Sequence, residues 1–327
     1  MADLSVSYMG LKLKNPIIIG SSGLTDSVSK IVELEKQGAA AVVLKSLFEE
    51  QILAESAVHV ERDQSFGYDV HDYIHNHTRN HKLGDYLKLI KEAKAKVDIP
   101  VIASINCISD TEWTGFASKI EEAGADALEI NISLLPSNHE MRGVQNEEMY
   151  FDILEKVRKA TTLPLAVKMS PYSGGLANLI KRISWSGYVD GIVLFNRYYS
   201  PDIDTEHLRF THTNVFSTPH EISTSLRWIA ISSNFVEIDL AASTGVHSGN
   251  DIVKQMLAGA KVVEIASVIY KNGPEHLQSM IAELEAWMAK HNYDKLDDFR
   301  GLMSYDKTRE TAAYERIQFM RHFSGIE

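Results

Sequence analysis

Short runs of apolar, β-branched residues alternate with amphipathic stretches along the chain. Each run is about five or six residues long, which is typical of strands buried on both faces of a parallel sheet. The eight runs begin at Pro16, Ala41, Pro100, Ala127, Pro164, Gly191, Val236 and Val262. Helical periodicity follows over Lys30–Gln37, Tyr86–Lys96, Glu112–Ala123, Met149–Ala160, Leu176–Ser186, Glu221–Ser232, Asp251–Leu257 and Pro274–Lys290.

Glycines mark the ends of four of these helical stretches. Gly38, Gly124, Gly187 and Gly259 each follow a helix and precede a strand, where a C-cap glycine belongs. Eight strands alternating with eight helices predict an α/β fold, a (β/α)8 TIM barrel. A doubly wound sheet is the alternative, but it usually has fewer strands, and the chain has neither a G-x-G-x-x-G nor a P-loop motif.

Three regions exceed what a barrel requires. Residues 46–83 and 197–218 follow predicted strands, so they add extra loops to the C-terminal face, where long loops usually shape an active site. The pattern over residues 304–327 predicts a C-terminal helical tail. We expect this tail to pack on the barrel or on a partner subunit. The expected organisation is one barrel domain over residues 1–303, followed by the extension over residues 304–327.

Composition and charge narrow the possible partners. The 327 residues include 33 Lys and Arg against 44 Asp and Glu, a net charge of −11. This balance argues against a broad nucleic-acid surface or an anionic membrane surface. The single cysteine, Cys107, excludes an intramolecular disulfide. The chain has neither a signal sequence nor an apolar run approaching ~18 residues, so we expect a soluble, cytoplasmic protein.

In a barrel, the chemistry lies where the strands end. Lys45 and Lys168 both end predicted strands; function is favoured over the alternative that each side chain extends to solvent. Thr244–Gly245 and Ala266–Ser267 fit the phosphate pocket that barrels form after strands 7 and 8, although small residues also simply permit tight turns. The other polar residues at strand ends are Ser21, Ser22, Ser46, Asn131, Ser133 and Asn196.

The order of these motifs resembles that of the dihydroorotate dehydrogenases, in particular the soluble class 1 enzymes. The resemblance covers most of residues 5–302. It implies an FMN-binding barrel that oxidises dihydroorotate to orotate in pyrimidine biosynthesis and forms a homodimer. The motifs that carry it are NPIIIGSSG, KS, IASI, LEINIS, LAVKMSPY, FN, STGVHSGNDI and IASVIYKNGP.

The resemblance also implies a role for each residue at the strand ends. Substrate would pass a hydride to flavin N5, while the Lys168 ammonium stabilises the negative charge that the reduced flavin gains. Lys45, Asn131 and Asn196 would orient the substrate, because the asparagine amides offer paired donors and acceptors to a planar pyrimidine. The residues expected around the flavin ring and substrate are Ser21, Ser22, Lys45, Ser46, Asn131, Lys168 and Asn196. Those expected to hold the flavin phosphate are Thr244, Gly245, Ala266 and Ser267.

The loop after strand 4 departs from the family pattern. The family has Asn-x-Ser-Cys-Pro-Asn there, and its Cys is the base that removes a C5 proton. Here Leu134 occupies that position, and a leucine cannot accept a proton. Ser133, as the nearest neighbour, is the predicted replacement, and the alternatives are Ser137, His139 and Cys107.

The loop after strand 2 also departs, because the family's substrate loop, Asn-x-Met-Gly-Leu-Pro-Asn, has no match here. Residues 66–69 read Phe-Gly-Tyr-Asp, and four histidines follow at His71, His75, His77 and His81. Their i,i+4 spacing suggests a metal site, but no acidic or cysteine ligand follows a standard spacing, so we predict no metal. Neutral histidines here are also plausible substrate contacts.

These departures leave three alternatives to a dihydroorotate dehydrogenase. The first is an FMN barrel oxidoreductase with a different dihydro or unsaturated substrate. The second is a non-catalytic protein that binds FMN or another phosphate ligand. The third is a barrel that binds a different phosphorylated ligand and no flavin.

Overall fold

The computed structural model describes residues 2–48, 83–106, 114–132, 134–198, 200–308 and 312–315. Within these ranges, eight parallel strands pair side by side and close into a barrel with helices between them. The predicted (β/α)8 barrel is therefore confirmed, and the doubly wound alternative is wrong because such a sheet stays open. The strands are β1 (Val6–Tyr8), β2 (Leu11–Leu13), β3 (Ile17–Ile19), β4 (Ala41–Val43), β5 (Leu47–Phe48), β6 (Val101–Asn106), β7 (Ala127–Ile132), β8 (Leu165–Met169), β9 (Gly191–Leu194), β10 (Pro201–Asp204), β11 (Arg209–His212), β12 (Asp239–Ser243) and β13 (Val262–Ile265).

The barrel closes between its second and third strands. The strands pair in the order β4, β3, β13, β12, β9, β8, β7, β6, and β6 then pairs back with β4. Because β4 is short, β5 continues its pairing along β6, with Leu47 opposite Ile105. Every residue of β3, β4, β6, β8 and β9 is buried. Burial on both faces explains why these runs are continuously apolar instead of alternating.

A helix matches each of the eight predicted ones. α4 begins at Gly143, earlier than the predicted Met149, because its first turn is polar and its buried apolar residues begin only at Tyr150. The short α8 was not predicted as a separate helix. The helices are α1 (Val28–Lys36), α2 (residues 83–94), α3 (Thr114–Glu122), α4 (Gly143–Ala160), α5 (Leu176–Trp185), α6 (Ile222–Ser232), α7 (Gly249–Ala258), α8 (Ser267–Asn272), α9 (His276–His291) and α10 (Ala312–Glu315).

The antiparallel hairpin β1–β2 covers the N-terminal end of the barrel. The Met9 N–H donates to Asp239 Oδ2 at 2.8 Å, at the first residue of β12. A Cβ on Gly191, the first residue of β9, would lie 3.1 Å from both Met9 and the Tyr8 hydroxyl. Tyr8 is buried here. The sequence pattern did not predict the hairpin, because strands of three residues are too short to show a periodicity.

The extra region after β9 contains a second hairpin, β10–β11, in which Ile203 pairs with Phe210. In the C-terminal extension, the Tyr314 hydroxyl donates to the Met303 carbonyl oxygen at 2.6 Å. The domain boundary at residue 303 stays a prediction, and the loop over residues 49–82 lies outside the described residues. No helix in the described part of the chain has both the length and the apolarity needed to cross a membrane.

Gly245→Ala is expected to destabilise the protein far more than Gly124→Ala. Both glycines have a positive φ, 82° and 91°, which costs a non-glycine residue about 1–3 kcal/mol. A Cβ at Gly245 would also lie 2.1 Å from the Ile222 backbone nitrogen, whereas a Cβ at Gly124 has nothing within 4 Å. We expect urea denaturation to show a loss of about 1 kcal/mol for Gly124→Ala and at least about 3 kcal/mol for Gly245→Ala. Equal losses in the two variants would contradict this account.

Candidate active site

A cavity of about 540 Å³ lies at the C-terminal ends of five barrel strands, β3, β8, β9, β12 and β13. Its size is within the range of cofactor and small-molecule sites. Most of the predicted site residues meet there, although they come from distant parts of the chain. Those that line the cavity are Ser21, Ser22, Lys168, Asn196, Thr244, Gly245, Ala266 and Ser267.

Lys168 extends from β8 to the cavity and lies between two carboxylates. Its Nζ is 2.6 Å from Glu264 Oε2 and 3.6 Å from Glu129 Oε1, and all three residues are buried. Burial alone would lower the pKa of Lys168, but the two carboxylates outweigh burial and raise it. Lys168 is therefore a fixed cation at neutral pH, and its charge is closely paired.

Glu129 is a buried carboxyl whose surroundings favour the protonated form. Burial raises the pKa of Glu129 well above its usual range, and the neighbouring Glu264 raises it further. Glu129 Oε1 has no hydrogen-bond partner in the described structure. A carboxyl group in this environment favours its neutral form, so the cluster carries less negative charge than its formal sum suggests.

Three serine hydroxyls connect the first three strands of the barrel. The Ser46 hydroxyl lies 2.9 Å from that of Ser21 and 2.8 Å from that of Ser104. The Ser46 N–H also donates to Ser21 Oγ at 2.9 Å. From α2, the Tyr86 hydroxyl accepts from the Ser104 N–H at 2.7 Å and donates to the Ser104 carbonyl at 3.1 Å. The predicted residues Ser21 and Ser46 therefore fix the strand ends relative to each other.

Asparagine side chains form a row beside Lys168. Asn106 on β6 lies opposite Asn131 on β7, which in turn lies opposite Lys168 on β8. Asn196 Nδ2 donates to Asn131 Oδ1 at 3.0 Å. Asn106 is buried, and its Oδ1 accepts no hydrogen bond from the described residues. Amides arranged in this way offer donors and acceptors to a planar heterocycle.

Small residues form the other end of the cavity, after β12 and β13. Thr244 and Gly245 have consecutive positive φ angles, 77° and 82°, which turn the chain sharply against the start of α6. Ser267 Oγ accepts from the Ser217 N–H at 2.9 Å, and Lys271 Nζ donates to the Ser217 carbonyl at 2.7 Å. Small side chains leave room for an anionic group to approach the backbone at this end.

Arg197 holds the segment that follows the second hairpin. Its Nε lies 2.8 Å from Glu221 Oε2, and its Nη1 and Nη2 donate to the carbonyl oxygens of Val215 and Asn214. Burial would raise the pKa of Glu221, but its hydrogen bonds to Arg197 and to the Thr218 N–H lower it overall. The Arg197 guanidinium is thus engaged in fixing the cavity wall.

A second cavity, of about 410 Å³, shares residues with the first one. Asn196, Arg197 and Thr244 line both cavities. The second cavity also contains Tyr172 and Tyr198, whose ring centroids are 5.0 Å apart with the rings perpendicular. The mouth of the barrel therefore offers aromatic as well as polar surface next to the main cavity.

Several predicted site residues lie elsewhere. Lys45 is exposed and makes no hydrogen bond or ion pair with the described residues, so only one of the two predicted lysines lines the main cavity. Ser133 lies outside the described residues, and its assignment as the base stays a prediction. Leu134 is half-buried and packs against the core, while Ser137 and His139 are exposed.

The histidines of the strand-2 loop and Cys107 also fall outside the described residues. Within the described ranges, no group of three or more histidine, cysteine, aspartate or glutamate side chains is arranged to hold a metal ion.

Sequence reasoning missed four residues of the site: Glu129, Glu264, Arg197 and Ser217. The first two left a detectable pattern, because each glutamate interrupts an otherwise apolar run of a buried strand. A charged residue in such a position requires a partner. Arg197 and Ser217 left no comparable pattern, since both stand in a polar segment of irregular structure.

A model of the dihydroorotate dehydrogenase family matches residues 3–288 of the chain. The chain belongs to the dihydroorotate dehydrogenase family. The match spans the whole barrel and confirms the resemblance that the strand-end motifs indicated. Dihydroorotate dehydrogenases are flavoproteins, and this family member is an oxidoreductase that acts on CH–CH bonds.

Curated relatives of the chain have two kinds of names. The catalytic subunit of dihydroorotate dehydrogenase B (NAD(+)) from Thermoplasma volcanium is 25% identical over 92% of this chain and 99% of its own length. The chloroplastic dihydropyrimidine dehydrogenase (NADP(+)) of Arabidopsis thaliana is 26% identical over 91% of this chain and 76% of its own. A subunit of NAD-dependent dihydropyrimidine dehydrogenase from Escherichia coli K12 is 25% identical, over 96% and 82% respectively.

Glu129→Gln is expected to make stability less dependent on pH. Because the folded pKa of Glu129 is raised above its ordinary value of 4.5, the native state binds more protons than the unfolded state above that pH. Stability from this group is therefore present below the unfolded pKa and is lost as pH rises toward the folded pKa. Glutamine keeps the size of the side chain and cannot ionise. The drop in unfolding free energy between about pH 5 and pH 8 should shrink by at least about 1 kcal/mol.

The matched control for this experiment is Glu155→Gln. Glu155 is exposed and pairs with Lys159 on the surface of α4, so its removal should leave the pH profile nearly parallel to that of the wild type. A Glu129→Gln profile parallel to the wild type would show that Glu129 does not titrate abnormally in the folded protein.

Proposed function

We propose that this chain is an FMN-dependent dehydrogenase of a dihydropyrimidine, with dihydroorotate, the precursor of orotate in pyrimidine biosynthesis, as the first candidate substrate. The observation that carries the proposal is the buried Lys168 ammonium beside the paired amides of Asn131 and Asn196. A fixed cation next to planar hydrogen-bonding groups suits a redox heterocycle that gains negative charge on reduction.

The residues at the cavity fit FMN in three ways. Lys168 supplies a cation at one end, and small residues from Thr244 to Ser267 leave space for a phosphate at the other. In the amide row behind the cavity, opposite Asn131, the buried Asn106 Oδ1 has no donor from the described residues, and it would suit a ring N–H that reached it. The proposed FMN contacts that line the cavity are Ser21, Ser22, Lys168, Asn196, Thr244, Gly245, Ala266 and Ser267. Ser46 and Asn131 belong to the proposed set from neighbouring strand ends, and Lys45 completes it with an exposed side chain.

Oxidation of a dihydropyrimidine to a pyrimidine removes one hydride and one proton. Bound FMN would supply the hydride acceptor. Lys168 holds a positive charge ready where negative charge develops, so no reorganisation is needed during the reaction. Asn131 and Asn196 would orient the substrate ring. Ser133 is the proposed base for the proton, since the neighbouring Leu134 cannot accept one.

A second candidate is an FMN oxidoreductase with a different dihydro or unsaturated substrate. Leu134 favours it, because an apolar, half-buried side chain stands where the family has its base. The Arabidopsis thaliana and Escherichia coli relatives are named as dihydropyrimidine dehydrogenases, which supports a dihydropyrimidine substrate in the broader sense.

We further propose that the protein works in the cytoplasm as a homodimer and passes its electrons to a partner subunit. The names of the Thermoplasma volcanium and Escherichia coli relatives, which describe subunits, support a partner. Light scattering after size exclusion measures the mass of the assembly, and a monomeric mass would remove the homodimer from the proposal.

Anaerobic addition of dihydroorotate to the purified yellow protein is expected to bleach the visible flavin band. Dihydrouracil and dihydrothymine, added separately, test the second candidate, and buffer alone controls for photoreduction. Bleaching by dihydroorotate at a rate at least ten times that of the other compounds would support the first candidate. A band that persists with dihydroorotate and bleaches with dihydrouracil would replace it with the second. Purification of a colourless protein that does not bind added FMN would contradict both.

The two predicted lysines should differ sharply when each is replaced by methionine. Lys168→Met leaves Glu264 buried without a cation, so we expect a loss of about 3–5 kcal/mol in unfolding free energy. With FMN at saturation, the rate of flavin reduction should fall at least about 100-fold. Lys45→Met should change stability by less than about 0.5 kcal/mol because Lys45 is exposed. Its reduction rate then decides whether Lys45 touches the substrate. A Lys168→Met protein that reduces flavin at the wild-type rate would contradict the proposed role.

A further inference from the structure

The cation that faces the main cavity is closely compensated by negative charge. Lys168 and Glu264 both line the cavity, and their Nζ and Oε2 atoms are 2.6 Å apart. Glu129 stands behind them, 3.6 Å from the same Nζ. All three side chains are at least nine-tenths buried, so water does little to screen them from one another or from a ligand.

A ligand in the cavity therefore meets an ion pair instead of an isolated ammonium group. The field of an opposed pair falls off faster with distance than that of a single charge, which weakens the attraction for an anion nearby. The geometry also limits any escape of Lys168 from its partner, since leaving Glu264 would bury an unpaired carboxylate. The compensation is thus built into the barrel and does not depend on a mobile side chain.

Glu264 is held where it can exert this effect. It belongs to β13, whose register with β3 places it opposite Ile18. Gly20 follows β3, and a Cβ there would lie 3.5 Å from both Glu264 Cβ and Oε2. The absence of a side chain at Gly20 leaves the carboxylate next to the cavity that Gly20 itself lines.

We propose that Glu264 is a positioning residue that lowers the reduction potential of the bound flavin by compensating the charge of Lys168. This inference rests on the proposed function, because it requires FMN in the cavity. Two-electron reduction of FMN with uptake of one proton leaves an additional negative charge on the flavin. A compensated ammonium stabilises that charge less than a free one, so the reduced flavin is bound less tightly relative to the oxidised flavin.

The consequence is a flavin that is a stronger reductant than Lys168 alone would make it. Lysine by itself favours the reduced state and so favours oxidation of the substrate. Glu264 lowers the reduction potential of the flavin again. The transfer of electrons from the reduced flavin to a partner of low potential is therefore less unfavourable. The potential of the site is therefore set by a pair of residues, one on β8 and one on β13.

The test is the midpoint potential of the FMN-loaded protein, measured by slow anaerobic reduction with dithionite in the presence of a reference dye. The variants are Glu264→Gln, which removes the charge, and Glu264→Asp, which keeps it. Glu155→Gln is the matched control, since Glu155 forms a lysine pair of similar length, 2.7 Å, on the exposed face of α4. Fluorescence titration of the apoprotein with oxidised FMN gives a second readout that requires no turnover.

In Glu264→Gln we expect the affinity for reduced FMN, relative to oxidised FMN, to rise at least about tenfold, which corresponds to an upward shift of about 30 mV. Glu264→Asp should remain close to the wild type, and Glu155→Gln should not shift. If Glu264→Gln does not bind FMN, Glu264→Met replaces it, because methionine removes the same charge and has a similar length, and the same upward shift is expected. A potential unchanged or lowered in the glutamine variant that binds flavin would overturn the inference.

The outcome separates this inference from the proposed function. If the protein binds FMN and a dihydropyrimidine reduces it, but the flavin potential is unchanged in Glu264→Gln, the proposed function stands and the inference is overturned. A wild-type protein that does not bind FMN at all overturns both.

Discussion

The barrel interior holds an ammonium group and two carboxylates away from water, and the site depends on how they are paired. Removing such charges from water costs several kcal/mol each unless partners compensate for the lost hydration. Lys168 provides that partner for Glu264 at 2.6 Å, and the raised pKa of Glu129 removes much of the remaining negative charge. The cluster also joins β8 to β13, which lies three strands further round the barrel. A change in either strand therefore alters the charge that a ligand meets.

The N-terminal end of the barrel is covered by a hairpin, whereas the C-terminal end contains the cavity. At the N-terminal end, the β1–β2 hairpin brings Tyr8 against Gly191 and binds Asp239, which excludes solvent from below the cluster. At the C-terminal end, the serine hydroxyls and Tyr86 fix the strand ends without filling the space between them. The cavity therefore remains open, and the residues that face it are held in place by hydrogen bonds to neighbouring strands.

The sequence predicts the barrel well because its strands are buried on both faces. Such strands read as continuous apolar runs, and a glycine that ends the preceding helix marks where four of them begin. The same logic placed Lys168, Asn131 and Asn196 at one end of the barrel, where the structure brings them together. The short hairpins escaped prediction, since three or four residues show no periodicity. The sequence also did not predict the pairing of Lys168 with Glu264, because the two residues come into contact only when the barrel closes. Lys45 was expected to line the cavity, but β4 ends two residues before it and leaves its side chain in solvent.

The family assignment and the open question of substrate follow from different parts of the molecule. The cation, the amide row and the small residues after β12 and β13 all belong to barrel strands or to the turns directly after them. These positions are fixed by strand register, and relatives at 25% identity align over 92% and 96% of this chain. The segments between strands and helices are less constrained, because loops change length and composition without disturbing the strands. Leu134 illustrates the difference, because it stands two residues after the end of β7 and packs half-buried against the core. The charged cluster and the amide row therefore belong to the barrel itself, whereas Leu134 belongs to the irregular segment between β7 and α4.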